Sequence, residues 1–378
     1  MTTLLWHSNA PITFTGYGMQ TALFAPRIRD LGYEVSINTP MSLMTSPVSW
    51  NGMVMYGATG DQLGNDMFAH RTSRFDITLT LCDLFGLFPC STQLQGRKLI
   101  HWMPVDCEPM GEKDIATLRN TGGIPVALSK FGFEQIRREG FDVLYVPHGI
   151  DTNIFKPVTE GRAEYRKLFG IEEDTFVIGI AAVNKPDPRK GLDQQMQAFS
   201  IFHKRHPDSV LFMYTFPKGG WNLDKIALQL GIHTVVKYPD EYSILSQLIP
   251  ENGVAQWYNC LDLLSACSEG EGFGLPILEA QSCGIPVVTT DCSAMTELCS
   301  SGWTVPGQRH WVSGHESWWV TPDVEAIVNR YEEAYANRDN QSIKDKARSF
   351  ALDYDADKVT TEFWKPVMAE CEERFNAS

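Results

Sequence analysis

The sequence predicts an α/β protein made of two domains, each built on a parallel sheet. Short apolar runs recur along the chain, each followed by a turn marked by glycine or proline and then by a helical stretch. That alternation is the signature of βαβ units. The runs are too numerous for one sheet of ordinary size, and 378 residues exceed what a single hydrophobic core usually holds.

In the first half the runs are TLLWHS, YEVSIN, FDITLTLC, KLIHWMPV, IPVALS and DVLYVPHG; in the second they are FVIGIAAV, SVLFMYTF, VVKYP, LDLLSAC and IPVVTT. Between them GMQTALFAPRIRDLG, SKFGFEQIRREG and LDQQMQAFSIFHKRHP read as helices. After the strand expected at 143–146 the chain becomes charged and turn-rich, through HGIDTNIFKPVTEGRAEYRKLFGI, before TFVIGIAAV restarts the strand pattern. The break therefore falls near 157–165. This gives a first domain over 1–160, a second over 161–355, and a helical segment over 356–378 that can pack back on the first domain. Pro366 should kink or break that last helix. The stretch 40–75 is rich in Met and Gly, has no clear period, and is expected to form loops.

Composition narrows the function. Hydrophobic residues make up 43% of the chain and the mean hydropathy is -0.19, values of a water-soluble globular protein. No apolar run approaches the roughly 18–20 residues that cross a bilayer. The first residues read as a strand and lack the basic and long apolar regions of a signal peptide. Nine cysteines, with no CxxC pair, argue against a disulfide framework or zinc ribbon and for a reducing cytoplasm. The net charge of -14 falls almost wholly beyond residue 157. An acidic second half is a poor surface for a phosphate backbone, whereas the near-neutral first half leaves nucleic acid open as an acceptor.

The segment SEGEGFGLPILEA, Ser268 to Ala280, concentrates the chemistry. It follows the strand LDLLSAC. Pro276 suits the first turn of a helix and Gly284 its end. Glu271 then lies in a loop with Gly270, Gly272 and Gly274, and Glu279 about one turn inside the helix. Such a loop lets backbone N–H groups approach a ligand, and the helix N-terminus favours an anion. Carboxylates accept hydrogen bonds from hydroxyls, so a ligand with both phosphates and hydroxyls, a nucleotide sugar, satisfies both demands. The plainer alternative is a surface turn with solvated glutamates.

The longer string EGFGLPILEAQSCGIPVVTTD resembles the donor-site signature of retaining glycosyltransferases of the GT-B fold, family four (the glycosyl transferases group 1 type). TGYGMQT (Thr15–Thr21) is similar to the family's N-terminal glycine loop, SKFG…YVPHGIDTNIFKP (Ser129–Pro157) to its interdomain stretch, and NKPDPRKGLD (Asn184–Asp193) to its diphosphate-binding segment. The resemblance implies two Rossmann-like domains whose parallel sheets face a central cleft. It implies a donor site of Gly16, Gly18, Lys185, Arg189, Lys190, Glu271, Gly272, Phe273, Gly274, Leu275 and Glu279. In that site Glu271 would take hydroxyls of the donor sugar, the Phe273 and Gly274 amides would face the sugar or diphosphate, and Glu279 would hold the ribose. Arg189 and Lys190 would meet the pyrophosphate.

The chain departs from the family pattern twice. Where the family has an Arg after the first strand of the donor domain, AAVNK stands, so Asn184 or Lys185 must substitute. Where it often has a His after the fourth strand, IHWMPVDCEP offers Asp106, with His101 as the alternate and a core histidine by preference. Asp106, Glu271, Arg189 and Lys190 are the expected catalytic set. His7, Asp83, His101 and His148, with Asn9, are further candidates to line the cleft.

The implied activity is transfer of a sugar from a nucleoside-diphosphate sugar to an acceptor hydroxyl with retention, UDP-hexose being the commonest donor. No cofactor is expected, and no metal either, since cations serve the diphosphate and no DxD-like pair stands in a convincing place. Rivals are a nucleotide-sugar epimerase and a non-catalytic nucleotide-sugar-binding protein on the same scaffold. A glycosidase would pair two carboxylates without the Arg-Lys segment, and a phosphorylase would need a pyridoxal-phosphate lysine. The acceptor, expected around Thr13–Gln20 and 40–75, can be a glycan, a protein hydroxyl or a hydroxylated nucleobase in DNA. A lipid is disfavoured by the lack of a basic amphipathic helix.

Overall fold

The apolar runs fold as predicted into parallel strands, and their unbroken hydrophobicity has a simple cause: most are buried on both faces. The computed structural model describes all residues except 41–43, 45, 59–64, 159, 247 and 378. Contacts divide the chain into two units. The first comprises Met1–Gly149, Val312–Ser317 and Tyr354–Ser378; the second comprises Ile150–Trp311 and Trp318–Asp353.

The first unit holds an eight-stranded sheet of β1 (Thr3–His7), β2 (Glu34–Asn38), β3 (Val48–Trp50), β4 (Met53–Tyr56), β5 (Ile77–Leu81), β6 (Leu99–Met103), β7 (Ile124–Ala127) and β8 (Leu144–Tyr145). Their order is β3-β4-β2-β1-β5-β6-β7-β8, and only the β3–β4 pair is antiparallel. That pair corrects the expectation of loops over 40–75. Asn51 and Gly52 carry φ of 48° and 77°, the two positive values that a tight two-residue hairpin requires. The stretch also contains the helix Asn65–Thr72, and its residues 41–43, 45 and 59–64 lie outside the described residues.

The expected glycine loop at Gly16 and Gly18 is the start of a helix, Gly16–Asp30, capped by the Thr15 hydroxyl, which accepts from Gly18 N. A Cβ at Gly18 would collide with the Thr13 and Ala10 carbonyls, so glycine is required by packing. Four large aromatics, Trp6, Phe24, Trp102 and Trp364, meet with ring centroids 4.8–6.2 Å apart. Trp364 comes from the C-terminal segment, which also joins this unit through Arg27–Asp357 at 2.8 Å and Tyr33–Glu372 at 2.8 Å. The break expected at Pro366 is absorbed one turn earlier. Thr360–Trp364 forms a π turn between the helices Ala356–Val359 and Lys365–Ala377, and Lys365 N–H bonds to Thr360 O. Widening the turn is a known way for a helix to take an irregularity without ending.

The second unit holds a six-stranded parallel sheet of β9 (Phe176–Ala181), β10 (Ser209–Tyr214), β11 (Val236–Lys237), β12 (Leu263–Ala266), β13 (Val287–Thr290) and β14 (Gly302–Val305), ordered β11-β10-β9-β12-β13-β14. A separate hairpin, β15 (Gly307–Val312) and β16 (Ser317–Pro322), follows. Strands β14 to β16 lie beyond the runs read from the sequence. The unit boundary at Gly149/Ile150 also precedes the break placed at 160/161. The turn-rich stretch is tied to the second unit: Phe155 O accepts from Ser282 and Arg348, and the Asn259 side chain bonds Lys156 O and Val158 N. The last boundary falls at Asp353/Tyr354, two residues before the 355/356 break that was expected.

Candidate functional site

Each sheet reverses its strand order once: the first between β1 and β5, the second between β9 and β12. Open α/β sheets bind ligands outside the carboxyl ends of strands at such a reversal. In the second unit the loops leaving β9 and β12 are those that carry the donor-site motifs.

After β9 the chain runs through Asn184 and Lys185 to a 3-10 turn, Pro188–Lys190, ended by Gly191 with φ 55°. A Cβ at Gly191 would strike Cys267 O, so glycine lets this turn press against the end of β12. The Glu269 N–H bonds Arg189 O at 2.7 Å, joining the two loops. Gly274, with φ 112°, then admits the chain to the helix Leu275–Ser282, with Pro276 in its first turn.

This packing brings three charges together. Lys190 Nζ lies 2.5 Å from Glu271 Oε1, and Arg189 Nη1 lies 3.1 Å from Glu271 Oε2 and donates to Gly270 O at 2.9 Å. Ser268 Oγ donates to Glu271 Oε1 at 2.7 Å, and the Glu271 N–H bonds Ser293 Oγ at 2.9 Å. Burial works to raise the Glu271 carboxyl, but the Lys190 and Arg189 charges outweigh it and hold the group at about 2. Lys190 is pushed down by burial, against the pull of Glu271. The result is a carboxylate fixed in its ionised form between two cations, at the glycine turn where phosphates and hydroxyls would arrive.

Glu279 differs from Glu271 in every respect. It is buried within the helix, and the Tyr258 hydroxyl donates to its Oε2 at 2.7 Å. Burial pushes its carboxyl up to about 7; the Tyr258 bond opposes this and the Glu251 charge adds to it. Phe273 and Leu275 are buried beside the turn.

Of the two proposed replacements for the missing arginine, Asn184 is committed elsewhere. Its Nδ2 donates to Phe216 O and Trp221 O at 2.9 and 2.8 Å, and its Oδ1 accepts the Trp221 N–H at 2.9 Å. It clamps the Phe216–Trp221 loop rather than facing a ligand. Lys185 is exposed and close enough to lower Lys190 electrostatically, so it is the cation that remains. Asn184→Ala should cost about 2 kcal/mol, since it strips three part-buried backbone groups of a partner, whereas Lys185→Ala should leave stability unchanged and weaken only diphosphate binding. Urea unfolding and calorimetric titration with a nucleoside diphosphate separate the two.

In the first unit the structure buries all three histidine candidates, as is expected for His101 but not for His7 and His148. His7 is buried, stacked on Phe68 at 4.0 Å and bonded to Asn38 at 2.7 Å; burial, with Arg71, holds it neutral at about 3. His101 is bonded to Thr80 at 2.9 Å and Thr121 at 3.0 Å and is pushed down to about 4 by burial. His148 is buried edge-on to Trp102 and pushed down to about 3. All three are core histidines. Asp83 and Asp106, which follow β5 and β6, reach the carboxyl edge of the sheet. Asp83 accepts from the Tyr17 hydroxyl at 2.9 Å, and both Asp83 and Asp106 act electrostatically on Tyr17.

The sequence reading missed Asp114, Ser268, Ser293 and Trp319. Asp114 takes the Phe85 N–H at 2.6 Å, and burial, with Asp83 and Asp106 adding, pushes it up to about 7. Its signal was an acid in the first turn of a helix, Glu112–Thr121. Ser293 has φ 49°, a conformation rare outside glycine and often found at working sites; nothing in the sequence announces it. Among the described residues no group of three or more His, Cys, Asp or Glu could hold a metal ion, and no helix is long and apolar enough to cross a membrane.

Comparison with known proteins places these loops in context. Residues 175–337 match the family model described as glycosyl transferases group 1. A D-inositol 3-phosphate glycosyltransferase of Kribbella flavida is 29% identical over 171 residues, 42% of this chain and 38% of that protein. A GDP-mannose-dependent alpha-(1-6)-phosphatidylinositol monomannoside mannosyltransferase of Mycolicibacterium smegmatis is 26% identical over 167 residues, 42% of this chain and 41% of that protein. The chain thus matches less than half the length of each. Among solved structures, sucrose-phosphate synthase from Thermosynechococcus elongatus superposes with a TM-score of 0.79 at 14% identity, covering 100% of both chains. The Anabaena protein HepE in complex with UDP and glucose gives 0.71 at 15% identity, covering 98% of this chain and 100% of that one. The fold is that of GT-B glycosyltransferases.

Proposed function

We propose that this chain, a GT-B protein whose residues 175–337 match the glycosyl transferases group 1 family, is a retaining glycosyltransferase that moves a sugar from a nucleoside-diphosphate sugar to an acceptor hydroxyl. The observation that carries the reading is the triad of Arg189, Lys190 and Glu271 at the Gly272–Gly274 turn, with a buried carboxyl, raised to about 7, at Glu279 one turn further on. The UDP and glucose held by the Anabaena structure support UDP-hexose as the first donor to try, and the GDP-mannose dependence of the Mycolicibacterium relative makes a GDP-sugar the second.

In this reading Arg189 and Lys190, with Lys185, hold the diphosphate and stabilise the charge that grows on it as the bond to the sugar breaks. Glu271 exchanges its cations for hydroxyls of the sugar, Glu279 accepts from the ribose, and the Phe273 and Gly274 amides approach the sugar or the diphosphate. The acceptor oxygen attacks the face the diphosphate leaves, and its proton passes to the departing diphosphate oxygen. No protein nucleophile is needed, and three cations at one loop serve without a metal. Asp106, Asp83 and the Tyr17 hydroxyl, at the carboxyl edge of the first unit's sheet, are the groups we assign to the acceptor, which we leave as a glycan, a protein or a hydroxylated nucleobase. Nine cysteines with no CxxC pair favour a cytoplasmic setting.

The test is a thermal-shift and hydrolysis screen against UDP-, GDP- and ADP-sugars, with and without Mg²⁺. One donor should stabilise the protein and slowly release its nucleotide, equally in both conditions. Stabilisation without nucleotide release, even with candidate acceptors added, would favour a non-catalytic binding protein; no shift with any donor would remove the donor reading.

A further inference from the structure

The hairpin β15–β16 was not foreseen in the sequence and plays no part in the chemistry above, yet one of its faces lies against the charged triad. Trp319 is 5% exposed, and the Arg189 guanidinium carbon lies 5.8 Å from its ring centroid. Two residues on, Thr321 donates to Glu269 Oε1 at 2.8 Å, and His310 on the opposite strand lies 3.1 Å from Thr321 Oγ1 and 3.7 Å from Glu269 Oε2. The Val320 N–H bonds Glu269 O at 3.1 Å, and the Glu269 N–H in turn bonds Arg189 O. The hairpin therefore holds Arg189 from two sides: its backbone through Glu269 and its guanidinium through the face of Trp319.

We infer that Trp319 is a positioning residue for the diphosphate end of the donor subsite, acting through Arg189, with Thr321 anchoring the hairpin that carries it. The inference rests on the donor reading above. The physical need is specific. Arg189 Nη1 now donates to both Gly270 O and Glu271 Oε2, and once Glu271 turns to sugar hydroxyls one of those two bonds is lost. An arginine held by one bond fewer samples more rotamers and meets a phosphate less often in the right plane. An aromatic face beneath it keeps the plane whatever Glu271 is doing, and a ring face binds a guanidinium in a way that an aliphatic side chain of similar bulk does not.

The experiment is calorimetric titration with UDP, GDP and ADP and with the corresponding nucleosides, on the full chain and on variants whose folding is checked by thermal unfolding without nucleotide. Trp319→Leu is expected to weaken the preferred diphosphate about 5- to 10-fold and to leave its nucleoside unchanged, while Trp319→Phe stays within about twofold. In an Arg189→Ala background Trp319→Leu should have no further effect, because the partner it acts through is gone. Thr321→Val, which cuts the bond to Glu269 at nearly constant volume, should give the same selective loss at about threefold and supplies the test if the Leu variant does not fold. Equal loss of nucleoside and diphosphate, unchanged binding, or an undiminished effect without Arg189 would overturn the inference and leave the donor reading standing. If the wild-type protein binds none of the three diphosphates, the donor reading falls and takes this one with it.

Discussion

Glu271→Gln is expected to lower sugar transfer by about 10²–10³-fold, the scale set by losing one group that stabilises a transition state, while nucleoside-diphosphate affinity stays level or tightens a few-fold. The two readouts part because Glu271 has two tasks. Its carboxylate, held at about 2 by Lys190 and Arg189 against the cost of burial, is ionised across the whole working range and competes with any phosphate for those two cations. The amide removes that competitor, which favours the diphosphate, yet cannot accept sugar hydroxyls as an anion does. The fold should weaken as well. Deleting one partner of a fully buried ion pair costs 3–5 kcal/mol, but the Glu271 and Lys190 side chains keep 15% and 19% of their exposure, so about 2 kcal/mol is expected. Transfer rates, calorimetric titration and urea unfolding of one variant give all three numbers. Affinity and transfer falling by one common factor would show that Glu271 merely builds the pocket.

The parallel strands and the donor loop could be read from the sequence because both are written in local signals. Apolar runs buried on two faces need no partner to be recognised, and Gly274 followed by Pro276 spells a turn into a helix. The hairpin at Asn51-Gly52 carried an equally local signal, the Asn-Gly pair itself, but sits in a Met-rich stretch with no clear period. Other features had no local signature. His7, His101 and His148 stand at strand ends or among motif residues as site histidines do, and only the packing of Phe68, Thr80, Thr121 and Trp102 around them shows that they are core. Asn184 looked like a ligand group because it fills an arginine's place, whereas its amide spans to Phe216 and Trp221, more than 30 positions away. The hairpin that brings Trp319 to Arg189 is likewise a contact across more than a hundred residues, invisible to any window on the chain.

Glu279→Gln is expected to change two pH profiles in opposite senses. The folded Glu279 carboxyl, raised by burial to about 7 from 4.5, keeps its proton over a range in which the unfolded chain has already released it. The native state thus binds more protons than the unfolded state between those values, and stability falls as pH rises through the window, by about 3 kcal/mol for a shift of this size. Asp114, also raised to about 7, and Glu251, raised by burial and by Asp151, add to the same fall, so the diagnostic quantity is the difference between wild type and Glu279→Gln. The glutamine variant should lose about 3 kcal/mol less than wild type between pH 4.5 and 8, measured by urea unfolding. Ribose binding runs the other way. A carboxylate that accepts ribose hydroxyls does so best when ionised, so wild-type affinity for the nucleoside should rise about tenfold from pH 6 to 8, while the variant binds weakly and with no slope. The nucleoside is the right probe, because the terminal phosphate of a diphosphate titrates in the same range. Parallel nucleoside profiles in the two proteins would take Glu279 out of the ribose site, whatever the stability profiles show.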